Sequence, residues 1–234
     1  LTLLQLAPEE SPPDHEFAAI KLYQCDLPLL NYLLQDLRSL LRSFARDDLD
    51  ITPHQNFTWT VHDLNRRTIV CDPDRLLTSM DVKVVGFFGD RRTDADDCAV
   101  DRIENLLHEE FRSYPGILSY SSAELIDDQW VDLVVHRVPS DRDEWRTSKV
   151  HVHAVDQLAP EMYHSVRIHN GSILGGPIGS EPVIIESTKY WDYDASPVWH
   201  ATRDLPTVVA ETLASQTMAS TAVTDKIEGQ SRLW

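Results

Sequence analysis

Histidine is the side chain whose ordinary pKa suits proton transfer near neutrality, and the sequence carries ten of them. His136 closes an alternating run in which Trp130, Asp132, Val134, His136 and Val138 fall on one face of a strand. Asp132 and His136 on an otherwise apolar face call for hydrogen-bond partners. Four strand positions apart, they stand about 13 Å from each other and cannot bond directly. Two separately satisfied polar residues near a sheet edge would give the same pattern. A later run alternates Tyr163, Ser165, Arg167 and His169 with His164, Val166 and Ile168. If the first set looks into a cavity, Arg167 can hold a carboxylate or an enolate oxygen and Tyr163 can donate a proton. If it looks outward, it is a solvated edge.

Other chemistry is poorly provided for. His151 and His153 sit two residues apart on a predicted helix, so their side chains diverge by about 200° and cannot grip one ion. There is no HExxH, cysteine cluster or Asp-rich calcium loop. The glycine-rich stretch from Gly171 to Gly179 follows a hairpin signal rather than opening a helix, unlike a phosphate cradle. The expectation is therefore no metal and no cofactor.

The elements that must position these side chains form one unit over residues 81 to 169. A strand at DVKVVGFFG, a helix at DADDCAVDRIENLLHEEFRSYPG and a hairpin at ILSYSSAELIDDQWVDLVVHRV come first. A helix at SDRDEWRTSKVHVHAVDQLAPEMY and a strand at HSVRIHNG follow. The order β-α-β-β-α-β predicts an α+β fold of the ferredoxin-like type: an antiparallel sheet with helices on one face. In the first helix Val100, Ile103, Leu107, Phe111 and Tyr114 make the buried stripe, with Asp101, Glu104, Asn105, His108 and Arg112 opposite. In the second, Ser140 with Asp143 resembles a capping box. Ser148, Val152, Val155, Ala159 and Met162 cluster on one face, His151 lies at its edge, and His153 points away.

With the elements in place a resemblance is visible. A helix ending in Tyr114-Pro115-Gly116, a strand, then Val134-Val135-His136, a short loop and Trp145-Arg146-Thr147-Ser148-Lys149-Val150-His151 resemble the antibiotic biosynthesis monooxygenase superfamily of dimeric α+β barrels. The resemblance covers the middle of the chain. It implies that Trp145 and His151 border a cavity between helix and sheet, and that two copies pair their sheets as a homodimer. Members oxygenate, decarboxylate, cyclise, degrade haem or only bind. The haem-degrading branch has an Asn on its first strand, and Asp81 to Asp90 contains none.

Residues 1–15 are Pro- and Glu-rich and read as a flexible arm. Residues 16–78 hold a strand at EFAAIKLYQ, a strongly amphipathic helix at DLPLLNYLLQDLRSLLRSFARDD, and strands at FTWTVHD and RRTIVCD joined at Leu64-Asn65. This β-α-β-β order imitates the start of the next unit, so the half is either an internal duplicate or an extension covering the sheet. The core domain spans 79–172, with a hairpin signal at Asn170-Gly171. A hairpin and strand extension spans 173–206 and a tail 207–234.

The formal charge of −17 repels nucleic acid and anionic membranes, both recognised largely through Lys and Arg. Three cysteines show no metal spacing. No run approaches the ~20 apolar residues of a membrane span, and the first residues lack a signal peptide's pattern, so a cytoplasmic protein is expected. The reading is a cofactor-independent enzyme on a hydrophobic small molecule. His151, Arg167, His136 and Tyr163 are its acid-base candidates, and Trp145, Trp130, Phe88 and Asp132 are its substrate contacts. The resemblance puts oxygenation of a polyketide or aromatic first. Cofactor-free ring closure, decarboxylation or dehydration is the enzymatic alternative, and a non-catalytic binding protein the other.

Overall fold

A computed structural model describes residues 3–61, 64–125 and 129–215. The protein is α+β. Among the described residues nine strands make one sheet. They are β1 (Leu4–Leu6), β2 (Gln55–Val61), β3 (Leu64–Val70), β4 (Asp81–Arg91), β5 (Ile117–Glu124), β6 (Gln129–His136), β7 (Tyr163–Leu174), β8 (Ile184–Asp192) and β9 (Trp199–Asp204). Their order is β1-β9-β8-β7-β4-β6-β5-β3-β2. Only the β1/β9 pair is parallel; the others are antiparallel.

Alternation along β6 divides the core. Val131, Leu133 and Val135 face one way and pack with helix α1 (Tyr23–Ala45), whose Leu27, Leu30, Leu33, Leu34, Leu37 and Leu41 are fully buried. Val134 faces the other way, joining Tyr120, Phe111 and Trp145. Helices therefore lie on both faces, not one. The cause is the width of the α1 stripe, since a fully buried leucine is worth roughly 1.5–3 kcal/mol over an exposed one. Val82, Val84, Leu133 and Val135 supply the matching apolar face.

On the second face lie α3 (Asp97–Glu110), capped by Asp96, and three short helices: α4 (Pro139–Trp145), α5 (Lys149–His153) and α6 (Ala159–Met162). The latter replace the single helix expected over 140–163. The Ser148 hydroxyl accepts the His151 N–H at 2.9 Å, starting a fresh helix, and a π-helical turn at Ala154–Leu158 separates α5 from α6. Ser148, Ala159 and Met162 still face inward, whereas Val152 turns to solvent. The cap of α4 is formed by Asp141, not Asp143: its carboxylate accepts the Val138 N–H at 3.1 Å.

Several other elements differ from expectation. Residues 16–24 form 3-10 turns and the start of α1, because the helical stripe already begins at Tyr23. Beside β9 the edge position is taken by β1, within residues expected to be a flexible arm. The buried Arg203 holds that arm by donating to the carbonyls of Ala7, Glu10 and Ala18. Leu64 and Asn65 belong to β3, paired with Val61 and Thr60; the tip between Val61 and Leu64 lies outside the described residues. Asn170-Gly171 is not a turn. β7 runs through it, and a bulge brings the Ile184 carbonyl so close to Gly171 that a Cβ there would collide. Pro73–Thr78 forms the short helix α2. Residues 207–215 form a final helix, α7, that docks on this chain's own core through Ala210; 216–234 lie outside the described residues, as do the side chains of Val100 and Asp101. Among the described residues no helix is long and apolar enough to cross a membrane.

Candidate functional site

Between the second sheet face and helices α3, α5 and α6 lies a cavity of about 180 Å³. Phe87 of β4, Ile103 and Leu107 of α3, Met162 of α6 and Ile168 of β7 supply much of its apolar wall. Into it project Glu104, His108, Tyr120, Asp132, His151 and Tyr163.

Asp132 is the centre of this polar set. The Tyr120 hydroxyl donates to its Oδ1 at 3.0 Å and the Trp130 indole N–H to the same oxygen at 2.9 Å. Burial pushes the Asp132 carboxyl up to about 7, and the charge of Glu104 adds to the rise against the opposing pull of the two hydrogen bonds and Arg67. Near neutral pH the group is thus divided between acid and carboxylate. The histidines go the other way. Burial brings His108 down to about 4, helped by Arg67, and brings His151 down to about 4, helped by Arg146. Both are neutral imidazoles at pH 7. Burial likewise holds the Tyr163 and Tyr120 phenols above their ordinary value.

The expected site residues divide into three groups. Trp130, Asp132, Trp145, His151 and Tyr163 line the cavity. His136 lies behind it, fully buried. Its ring centroid is 6.1 Å from that of Trp145, which meets His151 edge-on at 4.7 Å. Neither ring nitrogen of His136 has a hydrogen-bond partner, nor has the Trp145 N–H. Arg167 and Phe88 are on the opposite face, under α1. Arg167 grips both oxygens of the buried Asp26 at 2.6 Å and lies 4.6 Å above the Phe88 ring.

A bulge explains that division. Arg91 pairs with Tyr163 and Asp90 with Ser165, so His164 is an extra residue and reverses the side-chain phase of β7. Tyr163 therefore shares the cavity with Ile168 rather than with Arg167. Gly89 makes room for it, since a Cβ there would strike the Tyr163 ring. Of the paired phenylalanines only one can face the cavity, and it is Phe87.

Under α1 the polar residues form a closed network. His169 bridges Asp26 at 2.9 Å and Thr188 at 2.7 Å, Thr188 meets the Tyr23 hydroxyl at 2.5 Å, and Tyr23 meets Tyr190 at 3.1 Å. Burial alone would raise the Asp26 carboxyl; the hydrogen bonds and charges of Arg167 and His169 outweigh it and leave the group below its ordinary value. With Asp26, His169 and Thr188 all about 1% exposed or less, this network pins helix to sheet.

Glu104, His108 and Tyr120 were not singled out by sequence reasoning. Glu104 and His108 sit four apart, one step beyond the stripe of Ile103, Leu107 and Phe111, a widening that periodicity assigns to solvent. Their readable signal is that i, i+4 spacing beside an aromatic strand residue.

Among the described residues no cluster of His, Cys, Asp and Glu is arranged to hold a metal ion. No protein-family profile and no curated protein matches the chain. Among solved structures, protein SO0527 from Shewanella oneidensis aligns with a TM-score of 0.37 and 13% identity, over 42% of this chain and 95% of that one.

Proposed function

We propose that the protein is a cofactor-independent enzyme that moves a proton on a hydrophobic small molecule, with Asp132 as the general base. The observation that carries this is a carboxyl poised near 7 on the wall of an otherwise largely apolar cavity, where a base is half ionised and poorly solvated. Both hydrogen bonds to Asp132 end on Oδ1, which leaves Oδ2 to take the proton. Neutral His108 and His151 and the Tyr163 hydroxyl supply polar contacts to the bound molecule. Removing a proton from a carbon acid or phenol yields an electron-rich anion, and that anion can add oxygen, close a ring or expel a group. Oxygenation consumes oxygen, ring closure leaves the mass unchanged, and a binding protein returns its ligand intact.

The order β7-β4-β6-β5 within residues 81–174 is that of the split βαβ unit and supports the ferredoxin-like reading. Residues 16–78 are best understood as an extension. Its α1 covers the sheet face that a barrel-forming partner would need, so one chain completes the site and a homodimer, if formed, uses another surface.

The test uses 5-nitrobenzisoxazole, a bicyclic carbon acid whose ring opens to a coloured cyanophenolate when a base removes its ring proton and the N–O bond breaks. The protein should accelerate opening, with a rate rising through about pH 7, and Asp132→Asn should lose roughly 10²- to 10⁴-fold. An Asp132→Asn protein as fast as the parent removes the proposed base.

A further inference from the structure

The sheet face that floors the cavity continues outward into an open groove of about 310 Å³. The floor is a cross-strand row: Thr58 pairs with Arg67, Arg67 with Ser122, and Ser122 with Asp132 of the cavity. Thr60 and Asn65 form a second pair beside it. The two spaces share a wall. Trp130 lines both, and Arg67 on the groove side holds Glu104 on the cavity side at 2.7 Å. Among the described residues, one indole and one ion pair thus stand between the two spaces.

The chemistry of the groove differs from that of the cavity. It offers the hydroxyls of Thr58, Thr60 and Ser122, and the guanidinium of Arg67. The Arg67 Nη2 is spent on Glu104, but its Nε–H is buried and has no acceptor, a donor worth satisfying because a buried unpaired polar group is costly. The charge of Arg67 is already matched by Glu104 and that of Arg66, which also lines the groove, by Asp36 at 3.0 Å, with Asp132 nearby and Glu124 accepting from Asn65 at 3.1 Å. A carboxylate brought here would meet an excess of negative charge, and an ammonium would meet Arg67. An uncharged oxygen meets only donors and hydroxyls.

We infer that the groove is the second subsite of the ligand and that it takes an uncharged, oxygen-bearing chain, hydroxyl, ether or carbonyl, attached to the apolar ring in the cavity. This rests on the cavity reading above and adds the chemistry of the ligand's other end. The ring lies against Asp132 and Tyr163, the chain passes Trp130, and its oxygens meet the Arg67 guanidinium and the hydroxyls of Thr58 and Ser122.

Calorimetric titration with a matched series tests it: 2-naphthol, its hydroxyethyl ether, its carboxymethyl ether and its aminoethyl ether. The hydroxyethyl ether should bind about tenfold tighter than 2-naphthol, the worth of one well-made hydrogen bond, and both charged ethers should bind more weakly than 2-naphthol. Within the Arg67→Met protein the gain should shrink, the hydroxyethyl ether and 2-naphthol binding it within about twofold of each other. If Arg67→Met does not fold, Thr58→Val and Ser122→Ala read the same gain, and its full retention in both overturns the inference. Tightest binding by the carboxymethyl or aminoethyl ether overturns it in favour of an ion site, and equal binding by all tails shows the groove to be unused. Failure of 2-naphthol itself to bind is a different result: it removes the cavity reading, and this inference with it.

Discussion

Tyr163 and Arg167 lie four residues apart on β7 and project from opposite faces of the sheet, the one into the cavity and the other against Asp26 of α1. The extra residue at His164 separates a cavity-lining face from one packed against α1 within a single strand. The proposed proton chemistry and the clamp that holds α1 therefore lie on different faces and can be tested separately.

Arg167→Ala should act on stability. Breaking a buried pair strands its partner, here Asp26 at 1% exposure, and costs about 3–5 kcal/mol. Urea unfolding at pH 7 should show that loss, while Asp26→Asn combined with Arg167→Met should recover much of it. Full stability in Arg167→Ala, with turnover lost instead, would return Arg167 to the active site.

Much of this arrangement was legible in residue spacing, and what was not has local causes. The stripe of Leu30 to Leu41 and the alternation of Trp130, Asp132 and Val134 depend only on the helical and strand periods, which hold wherever the backbone is regular. The sorting of Arg167 failed because a bulge is a single-residue event with no compositional mark. His151 was placed correctly at the edge of its helix, but Val152 was not, because the Ser148 cap and the π turn restart the phase. Glu104 and His108 looked solvated because periodicity describes how a helix meets a filled core, and this helix meets a cavity.

Stability should depend on pH through Asp132. Its pKa rises from 3.8 to about 7 on folding, so the stability it contributes is complete below its unfolded value and is lost as pH climbs through 7. Asp132→Asn keeps an oxygen for Tyr120 and Trp130 without the buried charge. The variant should match the parent near pH 4 and exceed it at pH 8 by a few kcal/mol at most, since one pKa unit is worth about 1.4 kcal/mol. Denaturant midpoints at the two pH values measure the gap; a gap that shrinks toward pH 8 contradicts the assignment.

His136 should behave as an acid-sensitive weak point. Burial and then Arg142 bring it from 6.5 down to about 4, so its contribution is complete above pH 6.5 and is lost as pH falls toward 4. Because neither nitrogen has a partner, His136→Leu should gain roughly 1 kcal/mol at pH 7 and shift acid unfolding to lower pH. Destabilisation by the leucine would mean that the ring is hydrogen-bonded to a molecule held in the core.

His151 and His153 provide the sharpest contrast, because they are two residues apart on α5 and only one meets the cavity. His151 packs edge-on against Trp145 and lines the space; His153 is exposed. At about 4, the His151 pKa leaves the ring neutral at pH 7, so it cannot lend a proton there as an imidazolium and serves as wall and hydrogen-bond partner. His151→Ala should therefore raise KM for 5-nitrobenzisoxazole by about tenfold, the scale of one lost contact. The rise in kcat through pH 7 should stay where Asp132 sets it, and His153→Ala should change neither parameter. If His151→Ala instead lowers kcat by 10²-fold or more and moves the pH midpoint, the proton is handled by the histidine and Asp132 is the positioning group.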